Sequence, residues 1–279
     1  MQLSEDSTSS CILPFEIVEI IIDSLAEEND TDSLKAMSLV CQSVLPRCRK
    51  YLFFSINIET ESTEKCLALS SPHTDIPKYI RRLEYRVYGN PLYTSHSALL
   101  ERISFLQSFT LTASHWIHMD TSARSTLFKL MHLPTLTHLH LQFIPDLLVS
   151  DLFSCANLKH LQLVSVNMAD KSQCTFLPPE SDNFIVPRIQ EYSFTCSAQT
   201  TMRLSTDKLV DGRLALDFTN LKKLSVTLSR EADFEATLSL LRKYKQVEEL
   251  RIRGKWHFST LHFQAKLVWQ ATLTVLLTS

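Results

Sequence analysis

Glycine is nearly missing from this 279-residue chain, which carries only three, at Gly89, Gly212 and Gly254. Phosphate-cradling loops and nucleophile elbows need clustered glycines where the backbone approaches a ligand or turns under strain. The patterns G-x-x-x-x-G-K-[ST], G-x-G-x-x-G and G-x-S-x-G are therefore excluded. No Lys/Arg-rich block occurs and the formal net charge is −2, so nucleic-acid binding has little electrostatic support. No apolar run approaches the roughly 20 residues that span a bilayer. The opening MQLSEDSTSSC lacks the basic start and apolar stretch of a signal peptide, and its composition predicts a disordered lead-in over residues 1–11. The seven cysteines (11, 41, 48, 66, 155, 174, 196) are scattered, odd in number and without a C-x-x-C pair. Free thiols in a reducing compartment explain this better than a disulfide framework, so an intracellular protein of cytoplasm and/or nucleus is expected.

What the chain does have begins at residues 13–25, LPFEIVEIIIDSL. Pro14 suits a helix start. At 100° per residue Glu16, Glu19 and Asp23 share one narrow face. Phe15, Ile17, Val18, Ile20, Ile21, Ile22 and Leu25 cover most of the remainder, far more than the stripe of about 100° that one core requires. The helix is predicted to end near Glu27. A second starts at Asn29–Thr31 with Leu34, Met37 and Cys41 apolar, and a third follows Ser43 with Val44, Leu45, Cys48, Tyr51 and Leu52 apolar. Three short helices barely sustain a core. The spare apolar face of the first either packs on the rest of the chain or docks on another protein; patterning leaves both open.

The segment LPFEIVEIIIDSL…DTDSLKAMSLVCQSVLPRCRKYLFFSINIE resembles the F-box, in the divergent form expanded in basidiomycete, mushroom-forming fungi. The likeness covers about residues 12–58. It rests on the Leu-Pro start, the Glu-Ile-Val/Ile-Ile helix, the SLVC segment and the Arg-Lys-Tyr-Leu-Phe run before a strand. One departure is Tyr51 in the third helix, where many F-boxes carry Trp; no Trp precedes Trp116. The resemblance implies a partner for the spare face, the Skp-type adaptor of SCF ubiquitin ligases and, through it, cullin. By position the implied contacts are Leu13, Pro14, Ile17, Ile20, Ile21, Leu34, Val40, Cys41 and Leu45.

A second signal fills the rest of the chain. The pattern apolar-x-x-apolar-x-apolar occurs at Phe53/Ile56/Ile58, Ile80/Leu83/Tyr85, Leu106/Phe109/Leu111 and Leu136/Leu139/Leu141. It returns at Leu158/Leu161/Leu163, Ile189/Tyr192/Phe194, Leu221/Leu224/Val226 and Val247/Leu250/Ile252. Successive first positions lie 27, 26, 30, 22, 31, 32 and 26 residues apart, near the period of about 20–29 of leucine-rich repeats. SHSALLERI after Tyr93, TSARSTLFKLMHL before Pro134 and EADFEATLSLLRKY from Glu231 read as intervening helices. Such β–α units stack into a curved solenoid with a parallel sheet on the inner wall. The usual Asn after the strand is missing almost throughout, so the repeats are expected to be irregular, with long loops or distorted units at 169–187 and 197–217. The fold class predicted is α+β or α/β repeat: three helices over 12–52, joined without a linker, and so rigidly, to a leucine-rich-repeat-like solenoid over 53–279. The final AKLVWQATLTVLLTS stops on an apolar run, with Leu273/Leu276 opening a ninth unit. A truncated chain with exposed apolar surface is the expectation.

Residues between the apolar strand positions point to the concave wall. Arg82, Glu84, Arg86, His138, His140, His160, Lys223, Arg251 and Arg253 are the candidate target-binding side chains, set against the plain alternative of a solvated sheet face. His138, His140 and His160 also raise a zinc site, but no Asp or Glu stands nearby in sequence to suggest a general base or orienting partner. HWIH at 115–118 reads as packing, and Cys155 with His160 forms no recognisable nucleophile pair. The prediction is therefore a non-catalytic protein with no cofactor and no metal. It is read as the substrate-recognition subunit of an SCF-type ligase, binding an unknown protein target, no nucleic acid and no membrane. The alternative is a leucine-rich-repeat-like interaction protein without a ubiquitin-ligase role.

Overall fold

The computed structural model describes residues 13–59, 62–87, 94–114, 116, 119–152, 155–169, 186–206, 214 and 216–254. The expectations for the lead-in, for most of 169–187 and for a ninth unit fall outside them. The chain divides at Ser55–Ile56 into two compact units.

The first unit holds α1 (Phe15–Glu27), α2 (Thr31–Ser38) and α3 (Leu45–Leu52). Pro14 is the N-cap of α1, and its fixed φ of −54° starts the helix without wasting an N–H. Asn29, at φ 57°, takes the left-handed turn between α1 and α2, a conformation Asn tolerates better than most residues. Asp30 caps α2 by accepting from the Ser33 amide at 3.0 Å. Pro46 sits in the first turn of α3, where no N–H is needed. The core is small: Ile22, Leu34, Val44 and Cys48, flanked by Val18, Leu25, Met37, Tyr51 and Leu52.

The second unit is an α/β arrangement around one open parallel sheet of eight strands in the order β1-β2-β3-β4-β5-β6-β7-β8. The strands are β1 (Ser55–Glu59), β2 (Arg82–Val87), β3 (Ser108–Ala113), β4 (His138–Gln142), β5 (His160–Val164), β6 (Glu191–Thr195), β7 (Lys223–Leu228) and β8 (Glu249–Gly254). Each begins two residues after the first apolar position of its sequence motif. That first position (Ile80, Leu106, Leu136, Leu158, Ile189 and Leu221) is buried, as are the two apolar strand residues that follow it. Leu83, Phe109, Leu139, Leu161, Tyr192 and Leu224 form one register row through the core. The carbonyl just before a strand accepts two consecutive amides of the next unit. Gln107 O takes both Thr137 N–H and His138 N–H at 3.0 Å, and Thr137 O takes Lys159 N–H and His160 N–H in the same way.

Parallel neighbours need crossovers. These are α4 (Thr63–Ser70), α5 (Thr94–Leu100), α6 (Thr121–Met131), α7 (Ala198–Thr206) and α8 (Glu231–Lys243). The three helices predicted from sequence match α5, α6 and α8. The shortest spacing, between the fourth and fifth motifs, holds a 3-10 turn, Val149–Leu152, and among the described residues no α-helix. Part of the stretch expected to be loop at 197–217 is instead α7. Its Thr200, Thr201 and Ser205 are buried, and they read as polar in sequence. Thr200 donates to Val166 O at 2.6 Å and Thr201 Oγ1 lies 2.7 Å from Tyr192 Oη, so the hydroxyls reach partners inside the core.

Phe143, Ser165 and Cys196, the residues directly after β4, β5 and β6, all have φ between 51° and 53°. Glycine would adopt this left-handed corner without strain. The chain repeats the corner and fills it with other residues.

Candidate functional site

Two surfaces stand out. On α1, Glu19 and Asp23 do not form a merely solvated stripe. Arg47 on α3 donates Nε–H to Asp23 Oδ1 at 2.9 Å and NH2 to Oδ2 at 2.6 Å, a bidentate fork. It also reaches Glu19 Oε1 at 2.5 Å, while Tyr51 Oη–H donates to Asp23 Oδ1 at 2.7 Å. The hydrogen bond from Arg47, then that from Tyr51, hold the Asp23 carboxyl down at about 2. This clasp fixes α3 on α1 by a face separate from the core. Sequence reasoning saw the two carboxylates but had no means of pairing them with an arginine 24 and 28 residues away.

The third face of α1 is exposed among the described residues. Ile20 is 59% exposed, and Leu13, Pro14, Ile17 and Ile21 are exposed with it. Val40 and Cys41, after α2, are exposed as well. Leu34 is a correction to the expected contact set: at 2% exposure it belongs to the core. Leu45 is half-buried. Phe15 and Leu39, outside the expected contact set, are exposed as well; Leu39 is 86% exposed and extends the apolar surface of the α2–α3 turn.

The other surface is the sheet face opposite the core. Register places Arg82, Ser108, His138, His160, Glu191, Lys223 and Glu249 in one row, and Glu84, Thr110, His140, Gln162, Ser193, Ser225 and Arg251 in the next. Arg86 and Arg253 stand at opposite ends of a third row. All nine expected target-binding residues thus lie on this face. Ser193 and Ser225, small side chains side by side, leave a depression of about 370 Å³ that runs from β3 to β8.

Its most ordered feature is a chain of contacts along the first row. The rings of His138 and His160 stack with centroids 3.9 Å apart and an interplanar angle of 2°. His160 Nδ1 lies 3.0 Å from Glu191 Oε2, and Lys223 Nζ lies 2.8 Å from Glu191 Oε1. Partial burial, then the neighbouring imidazole, lowers the pKa of His138; burial lowers that of His140. The Lys223 ammonium, first of all, holds Glu191 ionised to lower pH than usual, and Glu191 in turn raises Lys223.

No group of three or more His, Cys, Asp or Glu among the described residues is placed to hold a metal ion. His138 and His160 stack instead of converging, and His140 stands one row away, 3.0 Å from the Gln142 amide. Cys155 is buried, and burial pushes its thiol up to about 12, far from a reactive thiolate. Trp116 is buried edge-on to Phe128, as a packing role requires. Cys41, Cys48, Cys66, Cys155 and Cys196 carry free thiols. Among the described residues no helix is long and apolar enough to cross a membrane. The chain matches no family model, no curated protein and no solved structure.

Proposed function

We propose that the chain is a non-catalytic substrate receptor. Its three-helix unit is an F-box that docks on a Skp-type adaptor of an SCF ubiquitin ligase, and the polar sheet face of its leucine-rich-repeat-like unit holds the target. One observation carries the reading: a unit with four core residues leaves Ile17, Ile20 and Ile21 exposed on one side of α1. Burying an Ile side chain is worth roughly 1.5–3 kcal/mol, so three left in water together mark a partner surface. Leu39 and Val40 extend it with a second apolar patch. The resemblance of residues 12–58 to the F-box is what points to a Skp-type adaptor as that partner. In this reading the chain contributes proximity and orientation, and ubiquitin transfer belongs to other subunits.

The test is co-purification of the full chain with a fungal Skp-type adaptor and cullin. The wild type is expected to assemble with both, and the Ile20→Asp/Ile21→Asp variant, still folded by circular dichroism, with neither. Absence of adaptor binding by the folded wild type removes the ligase reading. Adaptor binding without cullin favours the interaction protein that has no ubiquitin-ligase role.

A further inference from the structure

Apolar burial alone does not fix which way α1 faces. The helix carries four isoleucines, at Ile17, Ile20, Ile21 and Ile22, and the core takes only Ile22 fully, with Val18 and Leu25 on its flank. A turn of roughly 60° about the helix axis would set Ile21 where Ile22 stands. Val18 and Leu25 would stay beside the core, and Ile17 would enter from the other side. One isoleucine replaces another, so the transfer free energy of the core is nearly unchanged. A core of four residues has little further shape with which to reject the turned helix.

The acidic stripe breaks this degeneracy. Arg47 on α3 holds Asp23 through two hydrogen bonds of 2.9 and 2.6 Å and reaches Glu19 at 2.5 Å, and Tyr51 donates to Asp23 at 2.7 Å. Side chains stand about 5–6 Å from the helix axis, so the same turn would carry both carboxylates about that far from Arg47 and break all four bonds. A planar guanidinium fork does not follow such a displacement. The groups are half-buried, where ion pairs add only modestly to stability. Selecting one packing among near-equal ones is the best attested use of such a network.

We propose that the Arg47 clasp sets the rotational register of α1 and so decides which isoleucines face a partner. Arg47 is a positioning residue, acting through Asp23 and Glu19. The inference deepens the docking reading by naming what holds the docking face in place, and it rests on that reading for the use of the face. Without the clasp the turned helix buries Ile21 and Ile17 and turns Ile22 outward, so two registers share the population and one of them presents the wrong surface.

Hydroxyl-radical footprinting of the full chain, read residue by residue by mass spectrometry, tests the register directly. In the wild type Ile21, 39% exposed, should be labelled and Ile22, 0% exposed, protected. In Arg47→Met, still folded by circular dichroism, the Ile21-to-Ile22 labelling ratio should fall at least about twofold. The adaptor Kd should rise at least about twofold, since about half of the chains are competent. Arg47→Lys, which keeps the charge and loses the fork, should lie between. Lys35→Met, which removes the exposed Lys35–Asp32 pair on α2, should change neither readout. A wild-type ratio in folded Arg47→Met overturns the inference. Loss of the fold in Arg47→Met, with wild-type labelling in both Arg47→Lys and Tyr51→Phe, overturns it too, because the clasp is then a stabilising contact alone. A lowered ratio with unchanged adaptor affinity overturns the link to docking. Absence of adaptor binding by the wild type removes the docking reading instead, and the footprint still decides the register.

Discussion

In α1 only Ile22 is fully buried while Ile17, Ile20 and Ile21 stay exposed. From Leu83 on β2 to Val226 on β7, every apolar residue of the two core-facing register rows is buried. The small unit compensates for its thin core with the Arg47 clasp and keeps an apolar face outward. The larger one repeats a buried motif, and its outward face is polar, with charges paired along the strands. One region leaves an apolar face in water; the other, over its described residues, offers a hydrophilic surface. That contrast is what the proposed receptor role would use.

Four variants break or sharpen the contrast, from the largest effect to the smallest. Phe194→Ala opens a cavity in the sheet core and should cost about 3–5 kcal/mol in denaturant unfolding of the larger unit. A cost below about 1 kcal/mol would mean that this core is not continuous. Asp151 is buried, and burial raises its carboxyl to about 6. The protonated form is favoured by folding, so its contribution is fully present below about pH 4 and is lost as pH rises through about 6. Asp151→Asn should therefore stabilise the protein by about 2–3 kcal/mol at pH 7.5 and hardly at all at pH 4. Thermal melts across that range show whether the gap closes on acidification as stated.

Ser165→Gly relieves the left-handed corner after β5 and should add about 1 kcal/mol. No gain in the denaturation midpoint would count against strain there. In the small unit, Ile20→Asp/Ile21→Asp should change stability by no more than about 0.5 kcal/mol, since exposed sites lose little. A cost of several kcal/mol would place these residues in a core and end the contrast.

The sheet was legible because one pattern repeats eight times. A single apolar alternation marks any half-buried strand, but a recurring offset fixes register. The same pattern assigned the outward residues, so all nine on the sheet face could be named in advance. The histidine stack could not be, because neighbouring register positions do not specify ring orientation. Helix α7 escaped because its buried Thr200, Thr201 and Ser205 look like loop until Val166 O and Tyr192 Oη are seen beside them. Leu34 was misplaced by positional analogy. In a bundle with four core residues, each apolar side chain has two possible uses, and spacing alone does not choose between them.

The central claim is that the outward face of α1 is a docking surface. Isothermal titration of a purified fungal Skp-type adaptor into the wild-type chain and into Ile20→Asp/Ile21→Asp tests it most directly. Saturable binding by the wild type, weakened at least about 100-fold in the folded variant, is the predicted result. Equal binding by the two proteins, or none by the folded wild type, would contradict it.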